Sequence, residues 1–281
     1  MEAAPARPLA TTGRNTALMG MVSAPAKQFV DTIGAIVVLT SKTLVSAVRG
    51  PYPYGKEFVS QFLFALRMCW MPMIVSSFAF TYGPAGIQSA NFLSLFGALD
   101  RLGGLYVLLV VREFAPFVCA LVVAGVAGTA ICADLGARKV REELDALLVL
   151  GIDPVKNLVV PRFLALMLAT AMFNIYSLIF GTMGGVLATV TNGAPLGPFW
   201  ATYFNNASTV ELGASLVKTA IFGGAIAVVC CYKGLTTSGG AEGVGRAVNQ
   251  AVVISFMAIG VINFVFTQTL LALNPLLSVP K

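Results

Sequence analysis

Long apolar stretches alternate with short polar stretches along most of the chain. Five of them have the length that a membrane-crossing helix needs, which is roughly 20 residues for a hydrocarbon core about 30 Å thick. These stretches cover residues 58–80, 105–135, 158–190, 212–232 and 247–273. Pro and Gly occur inside them, as membrane helices tolerate. The pattern therefore predicts an all-α, polytopic membrane protein with about five transmembrane helices.

The region before the first predicted span has a different pattern. Residues 29–48 are apolar but are interrupted by Asp31 and Lys42, which is typical of a helix that lies in the membrane interface. Residues 1–27 contain no compact apolar core followed by a cleavage site, so we expect a tail on the cytoplasmic side and no cleaved signal peptide. Residues 28–281 are then expected to form one membrane domain.

The connections between the spans mix polar, Gly and Pro residues with apolar ones. We expect loops at residues 83–103 and 191–206. The second span is longer than the hydrocarbon requires at about 1.5 Å per residue, so its helix must tilt, kink or project, and Pro116 is the natural kink site. Gly181 and Gly185 form a G-x-x-x-G pair, which we interpret as a site of close helix packing within the subunit or across a dimer.

The composition agrees with a membrane protein and limits the chemistry. The chain of 281 residues is 57% hydrophobic and 11% charged, and its mean hydropathy is +0.85. Its five cysteines all fall in apolar stretches, and it has no histidine. We therefore interpret the cysteines as small packing residues and expect no metal site.

The positions of Lys and Arg predict the orientation. Five crossings place the two termini on opposite sides of the membrane. With a cytoplasmic N-terminus, the inner segments hold thirteen Lys and Arg residues, while the outer segments hold only Arg101 and Lys281. Because positive residues accumulate on the cytoplasmic side, we expect a cytoplasmic N-terminus and an outer C-terminus. The net charge of +6 is then a topology signal, and we expect no nucleic-acid binding.

The most highly charged inner segment, residues 137–153, has the pattern of a short amphipathic helix. Apolar or small residues recur at helical spacing: Val140, Leu144, Leu147, Leu148 and Gly151. The opposite face carries Arg141, Glu142 and Asp145. Gly151 can end this helix, and Asp153 before Pro154 can cap the next one. The pattern fits either a solvated connector or a helix that docks on a soluble partner.

Two long segments resemble the signature of the MlaE/YrbE permease family. The first is VREFAPFVCALVVAGVAGTAICADLGARKVREELDALLVLGIDPVKNLVVPRFLA, residues 111–165. The second is LVKTAIFGGAIAVVCCYKGLTTSGGAEGVGRAVNQAVVISF, residues 216–256. Permeases of this family are the membrane subunits of ABC transporters that work with MCE-domain lipid-binding proteins. The chain is most similar to the YrbE permeases of Mce systems, in which two unlike permeases commonly pair.

The resemblance implies that residues 137–153 are the coupling helix that rests on an ATPase subunit. The residues expected at this contact are Arg141, Glu142, Glu143, Asp145, Leu148, Gly151 and Asp153, together with Glu242 of the second inner segment. The chain lacks the G-x-x-x-x-G-K-[ST] pattern of a phosphate-binding loop. We therefore expect a non-catalytic subunit that binds no cofactor, with ATP and Mg held by the partner ATPase.

Five charged residues lie within or beside the predicted spans: Arg67, Arg112, Glu113, Glu211 and Lys218. Such charges are costly unless they are paired or face a cavity. Two interpretations remain open, because these residues either lock helix packing or line a lipid cavity between two permeases. The resemblance adds Asn263 to this group. Many relatives carry an acidic residue in its place, which implies an incomplete four-charge network here.

The resemblance implies a permease of the cytoplasmic (inner) membrane that imports a hydrophobic lipid of the fatty acid, sterol or phospholipid class. The implied partners are a homologous or identical permease, two cytoplasmic ABC ATPases and MCE-domain proteins on the outer side. Two other functions stay open. One is an ion-coupled secondary transporter that uses Glu113, Glu211 and Lys218 as a relay, and the other is a structural membrane scaffold of an MCE assembly.

Overall fold

The computed structural model describes residues 12–49 and 54–274, with side chains from residue 30 onward. These residues are almost entirely helical and contain no strand, which confirms the all-α fold class. In chain order the helices are α1 (Thr12–Val48), α2 (Gly55–Ser94), α3 (Leu99–Val140), α4 (Glu143–Val149), α5 (Val155–Thr191), α6 (Leu196–Asn206), α7 (Thr209–Leu235) and α8 (Gly240–Leu273).

Six helices in the described part of the chain are long and apolar enough to cross a membrane. Five of them contain the five predicted spans. The sixth is Val30–Val48 of α1, the least buried of the six, and the placement of this segment in the interface stays a prediction. Of the predicted tail, residues 12–27 belong to α1, and residues 1–11 lie outside the described residues.

Two segments predicted as loops are largely helical. Helix α2 continues to Ser94 through a π-helical turn at Thr81–Ile87 that contains Pro84. A π turn changes the hydrogen-bonding register, so the missing N–H of a proline need not end the helix there. In the other segment, Leu196–Asn206 forms the separate helix α6. The predictions of loops at residues 83–103 and 191–206 are therefore wrong over most of their length.

Helix α3 has an irregular stretch just before Pro116, the predicted kink site, while the kink itself stays a prediction. Helix α3 contains a π-helical stretch at Val107–Phe114, and a second one follows at Ala124–Gly128. In a π-helical stretch the hydrogen bonds run from residue i to i+5, which interrupts the regular α-helical pattern. The helix continues beyond Pro116 as far as Val140.

Helix α7 is the most buried of the long helices, and α5 packs along both α2 and α7. Side-chain hydrogen bonds join these helices inside the bundle. Ser77 donates to Ser177 at 3.0 Å, and the Asn174 amide donates to Ser215 at 2.6 Å. Short polar side chains of this kind connect helices within a membrane. All five cysteines are buried and unpaired, as expected of packing residues.

The glycine pair of α5 packs within the subunit. A Cβ at Gly181 would lie 3.3 Å from side-chain atoms of Thr81 and Val110, and one at Gly185 would lie 2.6 Å from the Tyr106 ring. The Tyr106 hydroxyl in turn donates a hydrogen bond to the Gly181 carbonyl oxygen. Gly185 therefore allows α5 to approach α3 closely at the level of the Tyr106 ring.

Gly185→Ala is expected to destabilise the protein, because the added methyl group would overlap the buried Tyr106 ring. Overpacking of this kind costs about 1–3 kcal/mol. Thermal unfolding of the detergent-purified protein measures the effect. Gly125→Ala is the matched control, since a Cβ there would meet nothing within 4 Å. Equal unfolding temperatures for the two variants would contradict the packing role of Gly185.

Candidate functional site

The segment between α3 and α5 is a sharp elbow, which we define as residues 141–153. Helix α3 ends at Val140, and Glu142 has a left-handed backbone with φ of 61°. Helix α4 then spans only Glu143–Val149. The prediction of one helix over residues 137–153 is therefore wrong, because the first residues of that range end α3 and the chain turns before α4 begins.

The turn brings an apolar residue of the elbow to the core. Leu144 is 4% exposed and belongs to the main hydrophobic cluster of the bundle, so its burial favours a change of direction after α3. Two ion pairs cross the turn. Lys139 lies 2.9 Å from Asp145, and the Nε atom of Arg141 lies 2.7 Å from Glu143.

The far end of the elbow has the predicted boundary signals. Gly151 adopts a left-handed backbone with φ of 73°, which favours glycine. The Asp153 carboxylate accepts a hydrogen bond of 2.9 Å from the backbone N–H of Val155. This bond caps the start of α5, as the Asp-Pro sequence predicts.

The outer surface of the elbow is apolar. Leu148 is 59% exposed, Val149 is 89% exposed and Leu150 is 72% exposed. They contribute little to packing within this chain, although neighbouring Leu147 is half-buried against the core. The charged side chains of the two ion pairs belong to the residues that immediately precede this surface in the chain. Exposed apolar residues with a charged rim are the pattern of a docking surface.

The second predicted contact segment lies beside the end of α3. Glu242 is exposed in the first turn of α8 and forms an ion pair with Arg246. A Cβ on Gly136 of α3 would lie 3.1 Å from Thr237 and 3.3 Å from Val244. The start of α8 thus packs near the start of the elbow, and the two predicted contact segments lie at the same end of the bundle.

Inside the bundle, the structure brings together four charged residues from two helices. Arg112 and Glu211 form an ion pair. Lys218 is 2% exposed, and its Nζ atom lies 3.4 Å from Glu113 Oε2. The same Nζ donates to the backbone oxygen of Arg112 at 3.0 Å. Two positive and two negative groups therefore compensate each other.

Glu113 is the centre of the polar contacts with α8. The Asn263 amide donates to Glu113 Oε2 at 2.7 Å, and the Thr267 hydroxyl donates to Glu113 Oε1 at 2.8 Å. Thr267 also accepts a hydrogen bond of 2.9 Å from Lys218. Thr267 was not predicted, and its place one turn after Asn263 on the same helix face is the signal that could have identified it. Arg67 is exposed on α2 and does not join this group.

A void of about 10 Å³ adjoins the network between α3, α7 and α8. It is at the lower limit for one water molecule, so it does not hold a lipid headgroup. Two buried acceptors, Glu211 Oε2 and Asn263 Oδ1, have no hydrogen-bond partner among the described residues. The side chain of Glu113 is 32% exposed. The network is thus internally neutral but open at one edge.

A third ionic group was missed by the sequence analysis. Arg162 is fully buried near the start of α5 and lies 2.7 Å from Asp134 and 3.7 Å from Glu57. Asp134 also forms an ion pair with Arg138, four residues later. This spacing is the one local sequence signal that could have identified Asp134 as a member of the group. In the sequence, Arg162 contributed only to the count of inner positive residues.

Comparisons with known proteins agree with this architecture. The model of the Permease MlaE family matches residues 58–269. A probable ABC transporter permease protein of Rickettsia typhi is 31% identical over 244 residues, which cover 86% of this chain and 93% of the relative.

Two further relatives come from other bacteria. A probable ABC transporter permease protein of Synechocystis is 39% identical over 180 residues, covering 63% of this chain and 68% of the relative. The intermembrane phospholipid transport system permease protein MlaE of Haemophilus influenzae is 28% identical over 255 residues, covering 89% of this chain and 97% of the relative. The family model spans all the long helices except α1. The chain belongs to the MlaE permease family of ABC transporter permeases.

Proposed function

We propose that this permease couples ATP hydrolysis by a separate cytoplasmic ATPase to the movement of a hydrophobic lipid across the cytoplasmic (inner) membrane. The observation that carries the proposal is the exposed apolar surface of the elbow at Leu148, Val149 and Leu150. A soluble partner that covers this surface gains apolar burial, and the charged rim fixes its register. Two ATPases, one on each of two permeases, bind the ATP and Mg.

The proposed lipid path lies between two permease subunits. Within one chain, the void beside Arg112, Glu211 and Lys218 has space for no more than a water molecule. Glu113 is partly exposed, and the acceptor on Asn263 lacks a partner among the described residues. A second permease, homologous or identical, would close a cavity over this open edge. There the polar groups would meet a lipid headgroup or the channel of an MCE-domain protein.

The substrate proposed is a lipid of the fatty acid, sterol or phospholipid class, and the direction proposed is import. Similarity to a phospholipid transport permease of Haemophilus influenzae supports the lipid class. The direction and the MCE-domain proteins on the outer side follow the analogy with Mce systems.

The proposed topology has a cytoplasmic N-terminus, α1 in the interface and an outer C-terminus. The distribution of Lys and Arg supports it. A cleft of about 400 Å³ lined by Ser41, Lys42, Asp153 and other residues separates α1 from the elbow. Ser41 and Lys42 of α1 therefore lie beside the elbow, at the end of the bundle that we propose to be cytoplasmic.

Purification of the complex from its native membrane tests the proposal. We expect an ATPase and a second permease to co-purify with the tagged chain, and mass spectrometry to detect a bound lipid. In proteoliposomes made from this complex, lipid transfer should require ATP. A purified chain that moves lipid without ATP or an associated ATPase would contradict the proposal.

A second candidate function is ion-coupled transport, and the buried Lys218 beside Glu113 favours it. Buried ionisable pairs of this type form proton relays in secondary transporters. The same proteoliposomes discriminate between the two functions. An imposed pH gradient without ATP would drive transfer in the ion-coupled case, whereas we expect it to drive none.

A further inference from the structure

Arg162 has an unusual environment for an arginine at the end of a membrane helix. Its side chain is 0% exposed, although it lies in the first turn of the regular part of α5, at the elbow end of the bundle. One guanidinium nitrogen donates to Asp134 Oδ2 at 2.7 Å, and the other terminal nitrogen donates to the backbone oxygen of Leu158 at 2.9 Å. The nitrogen that binds Asp134 also lies 3.7 Å from Glu57.

The ionic cluster of Arg162, Asp134 and Glu57 joins three helices at the base of the elbow. Asp134 belongs to the last turns of α3, before the elbow, and Arg162 follows it after 28 residues, at the start of α5. Glu57 belongs to the first turn of α2. The Arg162–Asp134 ion pair thus joins the two helix ends that flank the elbow. The Glu57 carboxylate connects this pair to α2.

The two carboxylates have alternative partners, whereas the arginine is enclosed. Asp134 accepts a hydrogen bond from Arg138 at 3.2 Å, and Glu57 accepts one from Gln61 at 2.9 Å. Their side chains are 42% and 36% exposed. The Nε atom of Arg162 is buried and has no hydrogen-bond partner among the described residues. The enclosed arginine is thus held directly by Asp134 and the Leu158 carbonyl oxygen, and Glu57 lies close to the nitrogen that binds Asp134.

We propose that Arg162 is a positioning residue that transmits movement of the elbow to α2, α3 and α5 together. The proposal rests on the proposed function, because it requires an ATPase that moves the elbow. Displacement of α4 pulls on the ends of α3 and α5, and the Arg162–Asp134 pair keeps these ends together. The neighbouring Glu57 transfers the displacement to α2. Arg162 touches neither ATP nor lipid and acts through helix position.

Arg162→Gln in the complete complex tests this role. We expect the ATPase to co-purify and to hydrolyse ATP within about twofold of the unaltered complex, while lipid moved per ATP falls about tenfold, within the range reported for residues that couple distant sites. Arg162→Lys keeps the charge and should recover part of the coupling. Arg101→Gln is the matched control, because this arginine is exposed at the opposite end of the bundle. Unchanged lipid transfer per ATP in Arg162→Gln would overturn the proposal.

Glu57→Gln decides the case in which Arg162→Gln fails to assemble. Glu57 is partly exposed, so this variant should assemble normally. We expect its lipid transfer per ATP to fall at least about threefold, within the range for coupling residues. If the transfer ratio of this assembled variant equals that of the unaltered complex, the cluster is structural only and the proposal is wrong. Absence of any ATPase from the unaltered complex would instead contradict the proposed function.

Discussion

Replacing Val149 and Leu150 together with aspartate is expected to release the ATPase from the permease. These residues are 89% and 72% exposed, so their substitution should change the free energy of folding of the chain by only about 0.5 kcal/mol each. An unpaired carboxylate buried against an apolar groove costs several kcal/mol, and about 1.4 kcal/mol lowers affinity tenfold. Recovery of the ATPase with the tagged permease should therefore fall below about one tenth of the normal amount.

The matched control replaces Leu95 and Phe96 with aspartate. These residues are 80% and 69% exposed between α2 and α3, at the other end of the bundle. Their replacement introduces the same charges without touching the elbow. Equal loss of the ATPase from both double variants would show that the elbow is not its docking surface.

Charge reversal at Glu142 refines this experiment. Its carboxylate is exposed, whereas Asp145 already pairs with Lys139 within the chain. Glu142→Lys therefore changes the outer surface alone, while Asp145→Lys also creates repulsion inside the elbow. A reduced ATPase recovery in Glu142→Lys would place this carboxylate at the contact.

The membrane spans were predictable because the requirement for roughly 20 apolar residues is local. The continuation of α2 through Pro84 was not, because it depends on contacts with a distant helix. A Cβ on Gly86 would lie 2.6 Å from Ala188, and one on Gly184 would lie 2.6 Å from Thr81. These close contacts support the π turn, and hydropathy contains no information about them.

The break before α4 had no local signal either. Residues 140–147 are mostly good helix formers, and a continuous helix was the natural prediction. The chain turns at Glu142 by adopting a left-handed backbone, which is unfavourable for a residue other than glycine. Leu144 reaches the core after this turn. Tertiary burial therefore outweighs local helix propensity at this position.

The charged residues of the network were predictable individually, because charges are rare and costly inside a membrane. Their pairing was not. Arg112 and Glu211 are 99 residues apart, and Glu113 and Lys218 are 105 residues apart. The two acidic residues of the network are Glu113 and Glu211, which pair with Lys218 and Arg112. Four charges therefore meet here although position 263 carries Asn and not an acidic residue.

Asn263→Asp is expected to produce the largest loss of stability among the network variants. The Asn263 amide donates to Glu113 Oε2 at 2.7 Å, and aspartate would place a second carboxylate oxygen at this distance. Lys218 already divides its contacts among Glu113, Thr267 and a backbone oxygen. The additional negative charge is therefore not compensated, which costs on the order of 3 kcal/mol. Thermal unfolding in detergent measures the loss, and ATP-driven lipid transfer should fall with it.

Combining Asn263→Asp with Glu113→Gln should reverse most of this loss. The carboxylate and the amide exchange places, so one hydrogen bond and one negative charge remain beside Lys218. Asn263→Leu separates the two effects, because it removes the hydrogen bond without adding a charge and should cost only about 1–2 kcal/mol. Residues in direct contact give non-additive changes in stability. A double variant whose loss equals the sum of its single variants would therefore contradict the role of the Asn263–Glu113 contact in holding α8 against α3.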